Sequence, residues 1–303
     1  MKRNILFMNC ASSLALVIII NALIPVLPTG AAELPIDLGS ASTFGVLAGS
    51  TVTSTGNTIV YGDLGISPGS ALVGFPPGIV NGTTNINNAT AIEAKADLAL
   101  AYADAASRTN QVILLGAEIG GLVLTQGLYK ASSSLAITTG DLTLDGQNET
   151  NAVWIFQIGS TLGVAASHSI TLINGARAEN IFWQVGTSAT LGANATFRGT
   201  ILADQAITLE SNVIFEGRAL AITTAVTLIA STFHVPNSVE LASSTLVTGP
   251  YITAPEQSLN LSTQTITVTA TTPTCFYLLR SSTSLTITGI NVVSNTVSIT
   301  YAY

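Results

Sequence analysis

Four threonine–leucine pairs recur in the middle of the chain, at Thr171-Leu172, Thr190-Leu191, Thr208-Leu209 and Thr227-Leu228, at intervals of 19, 18 and 19 residues. A constant period of this length marks a solenoid, in which each repeat is one coil laid on the next. Stacking would set equivalent residues about 4.7–4.9 Å apart, the spacing of hydrogen-bonded strands. Leucines in register then form an inner row and threonines an outer one. The outer row carries hydroxyls and methyls without charge. Such a surface suits contact with an extended, regular solid better than capture of a small molecule.

Chemistry of other kinds finds little support. β-Solenoids include polysaccharide lyases and hydrolases, which need clustered carboxylates or a basic group beside a metal. The 16 acidic residues are scattered, without an Asp-X-Asp pair. Asp141 and Asp145 come closest, and a turn between strands accounts for both. His168 and His234 are far apart, and no Gly-X-Ser-X-Gly elbow, phosphate loop, metal cluster or nucleotide fingerprint accompanies them. Cys275 is alone once Cys10 has left with the leader described below, so it supplies neither a disulfide nor a zinc site. The expectation is therefore no catalytic residue, no metal, no cofactor and no small-molecule substrate. A net charge of −7 with only 8% charged residues argues against nucleic acid as a partner.

The elements that would position the threonines can be read along the chain. Residues 1–32 have the make-up of a secretory signal peptide: basic Lys2 and Arg3, an apolar stretch from Leu14 to Leu27, and small residues at Gly30-Ala31-Ala32. The mature protein is accordingly expected outside the cell or on its surface, with no membrane span after cleavage. Residues 33–236 form the main domain. Its early part is rich in Gly, Thr and Val and alternates at strand period, as in Thr51-Val52-Thr53-Ser54-Thr55.

One amphipathic helix is predicted at about 88–108, started by a cap at Asn88 or Thr90. Its small face holds Ala91, Ala94, Leu98, Ala101, Tyr102 and Ala105, and Asp104 pairs with Arg108 four residues on. Strands resume over 110–235. Two aromatic segments, Trp154 to Gly159 and Ile181 to Gly186, resemble each other, and Phe197, Phe215 and Phe233 recur as core. Residues 237–303 are a Thr/Ser-rich tail that reads as antiparallel strands of unknown role.

These segments resemble the microbial ice-binding (antifreeze) proteins. The likeness rests on motifs in one order: Phe44 to Ser50 (FGVLAGS), Gly62 to Gly69 (GDLGISPG), Gly74 to Gly78 (GFPPG), the alanine-rich helix, Gly127 to Lys130 (GLYK), Leu142 to Asp145 (LTLD), the two aromatic segments, and Gly217 to Leu220 (GRAL). It implies a mainly β fold, a discontinuous right-handed β-helix (solenoid) with one long α-helix packed alongside, here followed by a short C-terminal β tail.

It also implies a partner, the surface of an ice crystal, and adsorption that inhibits ice growth and recrystallisation. The family's contact face often carries Thr-Ala/Gly-X-Thr/Asn. Thr55-Gly56-Asn57-Thr58 and Thr224-Ala225-Val226-Thr227 match it. The coils at Thr190 and Thr208 match in part, with Ser188 at the second place of one and Gln205 at the first place of the other. The expected contact residues are Thr55, Thr58, Thr190, Thr208, Thr224 and Thr227. The sequence leaves open which solenoid face they share. The alternative is a cell-surface adhesion or structural module that keeps the scaffold without affinity for ice.

Overall fold

The computed structural model describes residues 33–236 apart from Thr150, together with the strand segments 5–9, 240–244, 252–253, 258–260, 265–269, 274–280, 286–293 and 296–302. Two compact units emerge, Leu27–Pro236 on one side and residues 1–26 with 237–303 on the other.

The larger unit is built of parallel strands stacked coil on coil, in sheets of 12, 7 and 3 strands. Its axis is filled by an aromatic column. Tyr129, Phe156, Trp183, Phe197, Phe215 and Phe233 follow one another with ring centroids 5.3, 3.9, 5.4, 5.2 and 5.0 Å apart. The duplicated aromatic segments explain this, since Trp154–Ile158 and Ile181–Val185 pair residue for residue. Coils of different sequence thus donate the same kind of side chain to the same core position. Corners are turned by residues that accept left-handed backbone. Asn194 and Asn212 have φ of 60° and 61°, and the Asn212 amide donates to Asn194 Oδ1 at 3.3 Å. At Gly217 the constraint is approach, because a Cβ would lie 1.9 Å from the Gly199 carbonyl oxygen.

The coils are not in chain order. The strand Val226–Ile229 lies between Ile207–Ser211 and Thr51–Thr55, and it pairs in parallel with both. Likewise Ile214–Ala221 pairs with Phe44–Ala48, and Thr232–His234 with Ile59–Tyr61. The first coils are therefore set against the last, which makes the solenoid discontinuous. Arg218 locks this joint. Its buried guanidinium donates to the Ser42 carbonyl (2.7 Å), Thr200 Oγ1 (3.4 Å) and the Pro236 carbonyl (3.2 Å).

The helix spans Ala89–Ser107, with the Asn88 side chain accepting from the Ala91 N–H at 2.9 Å. Ala91, Ala94, Leu98, Ala101 and Ala105 are buried. Most of this small face lies on Phe44, Leu47, Leu128, Val153, Ile155, Phe182, Leu202 and Leu220 of the large sheet, a second core beside the first. Polar groups fix its position. Gln157 Nε2 caps the C-terminus by donating to the carbonyls of Ala105 (2.9 Å) and Arg108 (2.7 Å). Lys95 Nζ donates to the Ala221 and Ile222 carbonyls at 2.6 and 2.5 Å. Asp97 accepts from the Ser40 backbone and hydroxyl, and Asp104 pairs with Arg108 at 2.8 Å.

In the smaller unit, Ser258–Asn260, Thr265–Thr269, Thr296–Ala302 and Thr286–Val293 form one antiparallel sheet. A second antiparallel sheet contains Glu240–Ser244, Ile252–Thr253, Thr274–Arg280 and Ile5–Asn9. Ile5–Asn9 falls inside the expected leader, and the rest of residues 1–32 lies outside the described residues.

Candidate functional site

Seven short parallel strands form one face of the larger unit, in the order Leu135–Ile137, Leu162–Val164, Ala189–Leu191, Ile207–Ser211, Val226–Ile229, Thr51–Thr55 and Ala71–Val73. Alternation along each strand separates the two sides. Leu135, Leu162, Ala189, Ile207, Val226 and Val52 point into the core, as do Ile137, Val164, Leu191, Leu209 and Leu228. The residue between each such pair points out. These outward residues run in exact register as Ala136, Gly163, Thr190, Thr208, Thr227, Thr53 and Val73. Four consecutive coils thus present a threonine at the same position, and seven strands span about 29 Å across the face.

A second outward row lies two residues earlier in each coil. It reads Ser134, Thr161, Ser188, Ala206, Ala225, Thr51 and Ala71. Thr161 Oγ1 donates to Ser134 Oγ at 2.8 Å, and Ser188 Oγ accepts from the Ala206 N–H at 3.3 Å, tying coils together along the row. Neither row contains an ionisable side chain. Among the described residues the hydroxyls of Thr53, Thr190, Thr208 and Thr227 have no protein partner, so they are open to water. β-Branching restricts χ1 of each, which pre-orders the row before anything binds.

The predicted residues divide. Thr190, Thr208 and Thr227 share the column. Thr55 is exposed on the same side, two residues after Thr53 and paired with Ile229. Thr224 is exposed at the corner leading into its strand, with its carbonyl accepting from the Gly49 and Ser50 N–H groups at 2.9 and 3.1 Å. Thr58 is not on the face. It is fully buried, and its Oγ1 accepts from Ser54 Oγ at 2.8 Å. The strand ends at Thr55, and the turn at Gly56 (φ 78°) sends the chain inward before Thr58 is reached.

Thr171 also departs from the expected row. It stacks on Thr143 in the three-stranded sheet, and Gly163 holds its coil's place on the seven-stranded face. Thr53 was missed by sequence reasoning, because its neighbour in space, Thr227, is remote in the chain. Only the alternation of Thr51, Thr53 and Thr55 signalled this segment as outward-facing, and nothing local told which coil would flank it.

The polar residues weighed for catalysis have structural roles. Asp145 Oδ1 accepts from the Gln147 N–H and the Asn174 amide, both at 2.8 Å. Asp141 Oδ1 accepts from the Ser169 N–H at 2.8 Å and lies 3.3 Å from His168 Nδ1. Among the described residues no group of three or more His, Cys, Asp or Glu is placed to hold a metal ion.

A family model described as "Ice-binding-like" matches residues 46–234, which is the span that builds this face. The chain belongs to the ice-binding-like family. Among family relatives, the ice-binding protein of Nostoc sp. (strain HG1) is 50% identical over 192 residues, covering 63% of this chain and 71% of that protein. The ice-binding protein of Flavobacterium frigoris (strain PS1) is 38% identical over 216 residues, covering 66% and 76%. A solved ice-binding protein from an Antarctic biological consortium superposes with a TM-score of 0.66 at 45% identity, covering 71% of this chain and all of that one. Another, from the Antarctic ascomycete Antarctomyces psychrotrophicus, gives 0.65 at 39%, covering 67% and all of that chain. The β-solenoid with a helix alongside is thus the fold of the chain and of these relatives.

Proposed function

We propose that this protein binds ice through the seven-stranded face, with Thr53, Thr190, Thr208 and Thr227 as the central contacts and Thr55 beside them. The observation that carries the reading is four threonines in register on adjacent coils, in one of two outward rows that carry no ionisable side chain on these seven strands. A surface that joins ice must compete with liquid water for the same molecules. A charged group keeps its own hydration shell and fits poorly at that boundary. Threonine offers a methyl that orders neighbouring water and a hydroxyl that can enter the ordered network. Each contact is small, but rigid coils let many engage together, so release is slow. Growth between adsorbed molecules bulges, and a curved front is less stable than a flat one.

The same reading makes the protein non-enzymatic and exported. Export follows from the basic, apolar and small-residue order of the first 32 residues, and among the described residues no helix is long and apolar enough to cross a membrane. The outer corner residue Thr224 stands at the margin of the contact area. The test is annealing of polycrystalline ice in sucrose with purified protein at micromolar concentration. Arrested coarsening is expected. Coarsening at the rate of a protein-free control would overturn ice binding and favour an adhesion module on the same scaffold.

A further inference from the structure

We infer that Glu210 limits the ice-contact surface on one side and holds this protein below the activity its scaffold could support. This rests on the ice-binding reading of the same face. Glu210 follows Thr208 by two residues in the strand Ile207–Ser211, where Ile207 and Leu209 are buried and Glu210 is exposed. Its exposure beside buried Leu209 puts its carboxylate on the outer side, with Thr208. The strand is irregular at this point: Leu209 pairs with Leu228, and the next pair is Ser211 with Ile229. One extra residue, Glu210, is thus left out of the pairing as a β-bulge, a device that re-aims a side chain and ends regular pairing.

The row beside Glu210 is neutral: Ser211 pairs with Ile229, and Ile229 with Thr55. Beyond Ile229, Thr55 continues the hydroxyl-bearing surface begun by Thr51 and Thr53. Among the described outward residues of the seven strands, Glu210 is the one acidic side chain. A carboxylate holds a tight shell of oriented water, and removing that shell is costly. Ice approaching the Thr208 coil must either leave this water in place or stop short of the row. Either outcome loosens contact around the Thr208 coil at the edge of the face, while the two uncharged rows engage fully.

Substitution keeps the local backbone contacts, because the Ser231 hydroxyl donates to the Glu210 carbonyl and not to its side chain. The experiment compares wild type with Glu210→Thr, Glu210→Gln and Glu210→Lys for the lowest concentration that arrests recrystallisation, with unfolding curves for each. The Thr variant is expected to act at a concentration roughly two- to five-fold lower, since added contacts multiply through avidity. The isosteric Gln variant should gain part of this, and the Lys variant none. Equal activity of wild type, Thr and Gln variants would overturn the inference, as would a loss of activity in the neutral variants with unfolding curves unchanged. An inactive wild type would instead overturn the ice-binding reading itself, so the two failures are distinct.

Discussion

Replacing Thr208 with tyrosine tests the face most directly. Thr208 lies between Thr190 and Thr227 in the column, so a bulky ring there stands above both neighbours and lifts them from a flat partner. Three of the four column threonines then lose contact. If each contact resembles an ordinary net hydrogen bond of about 0.5–1.5 kcal/mol, the loss is about 1.5–4.5 kcal/mol, roughly ten-fold or more in affinity. The fold should be indifferent, because the position is partly exposed and tyrosine is a good strand residue, leaving stability within about 0.5 kcal/mol.

The control is Thr171→Tyr. It carries the same Thr-Leu signature in sequence, yet it lies on the three-stranded sheet. The assay is the recrystallisation endpoint for both variants, beside thermal unfolding. At least a ten-fold higher endpoint is expected for Thr208→Tyr by the same arithmetic, with Thr171→Tyr matching wild type. Full activity in the first variant, or equal damage in the second, would refute the assignment of the face.

Other predictions follow from the interior. Thr58→Val should leave ice activity intact but cost about 1–3 kcal/mol in urea unfolding, because the buried Ser54 hydroxyl loses its acceptor. Arg218→Met should cost about 3 kcal/mol or more, since three acceptors lose a charged donor at the joint between first and last coils. His234 is stacked on Tyr61 with ring centroids 4.7 Å apart, and burial lowers its pKa from 6.5 despite the pull of Glu216. The unfolded chain then takes up the proton before the folded one as pH falls, so native stability drops below pH 6.5. Urea midpoints at neutral and mildly acidic pH should show a smaller acid loss in His234→Gln than in wild type.

Much of this was legible in sequence for physical reasons, and the failures have reasons too. The helix was found because a cap at Asn88, a small face and an i,i+4 pair are all local signals. The aromatic column was found because consecutive coils repeat the same core residue. The threonine column was found only where neighbours in space are also neighbours in the repeat, from Thr190 to Thr227. Thr53 belongs to the same column, but its coil is inserted from the other end of the chain. Thr171 had the right spacing and the wrong sheet, because one coil contributes strands to several faces and the period does not say which. Thr58 matched a four-residue pattern across a turn, where alternation no longer holds. The bulge at Glu210 is a feature of pairing between coils and left no mark in the period.

The joint between first and last coils bears on how the protein is made. Arg218 and Ser42 are 176 residues apart and share a hydrogen bond. At about 5–20 residues per second, a ribosome needs roughly 10–35 seconds to extend the chain from one to the other. During that time the strand Thr51–Thr55 waits with an unpaired edge, an invitation to mispairing between nascent chains. The last coil to emerge is the one that shields it. Yield in a heterologous host should therefore respond to translation speed and to holdase chaperones more than to any change on the finished surface.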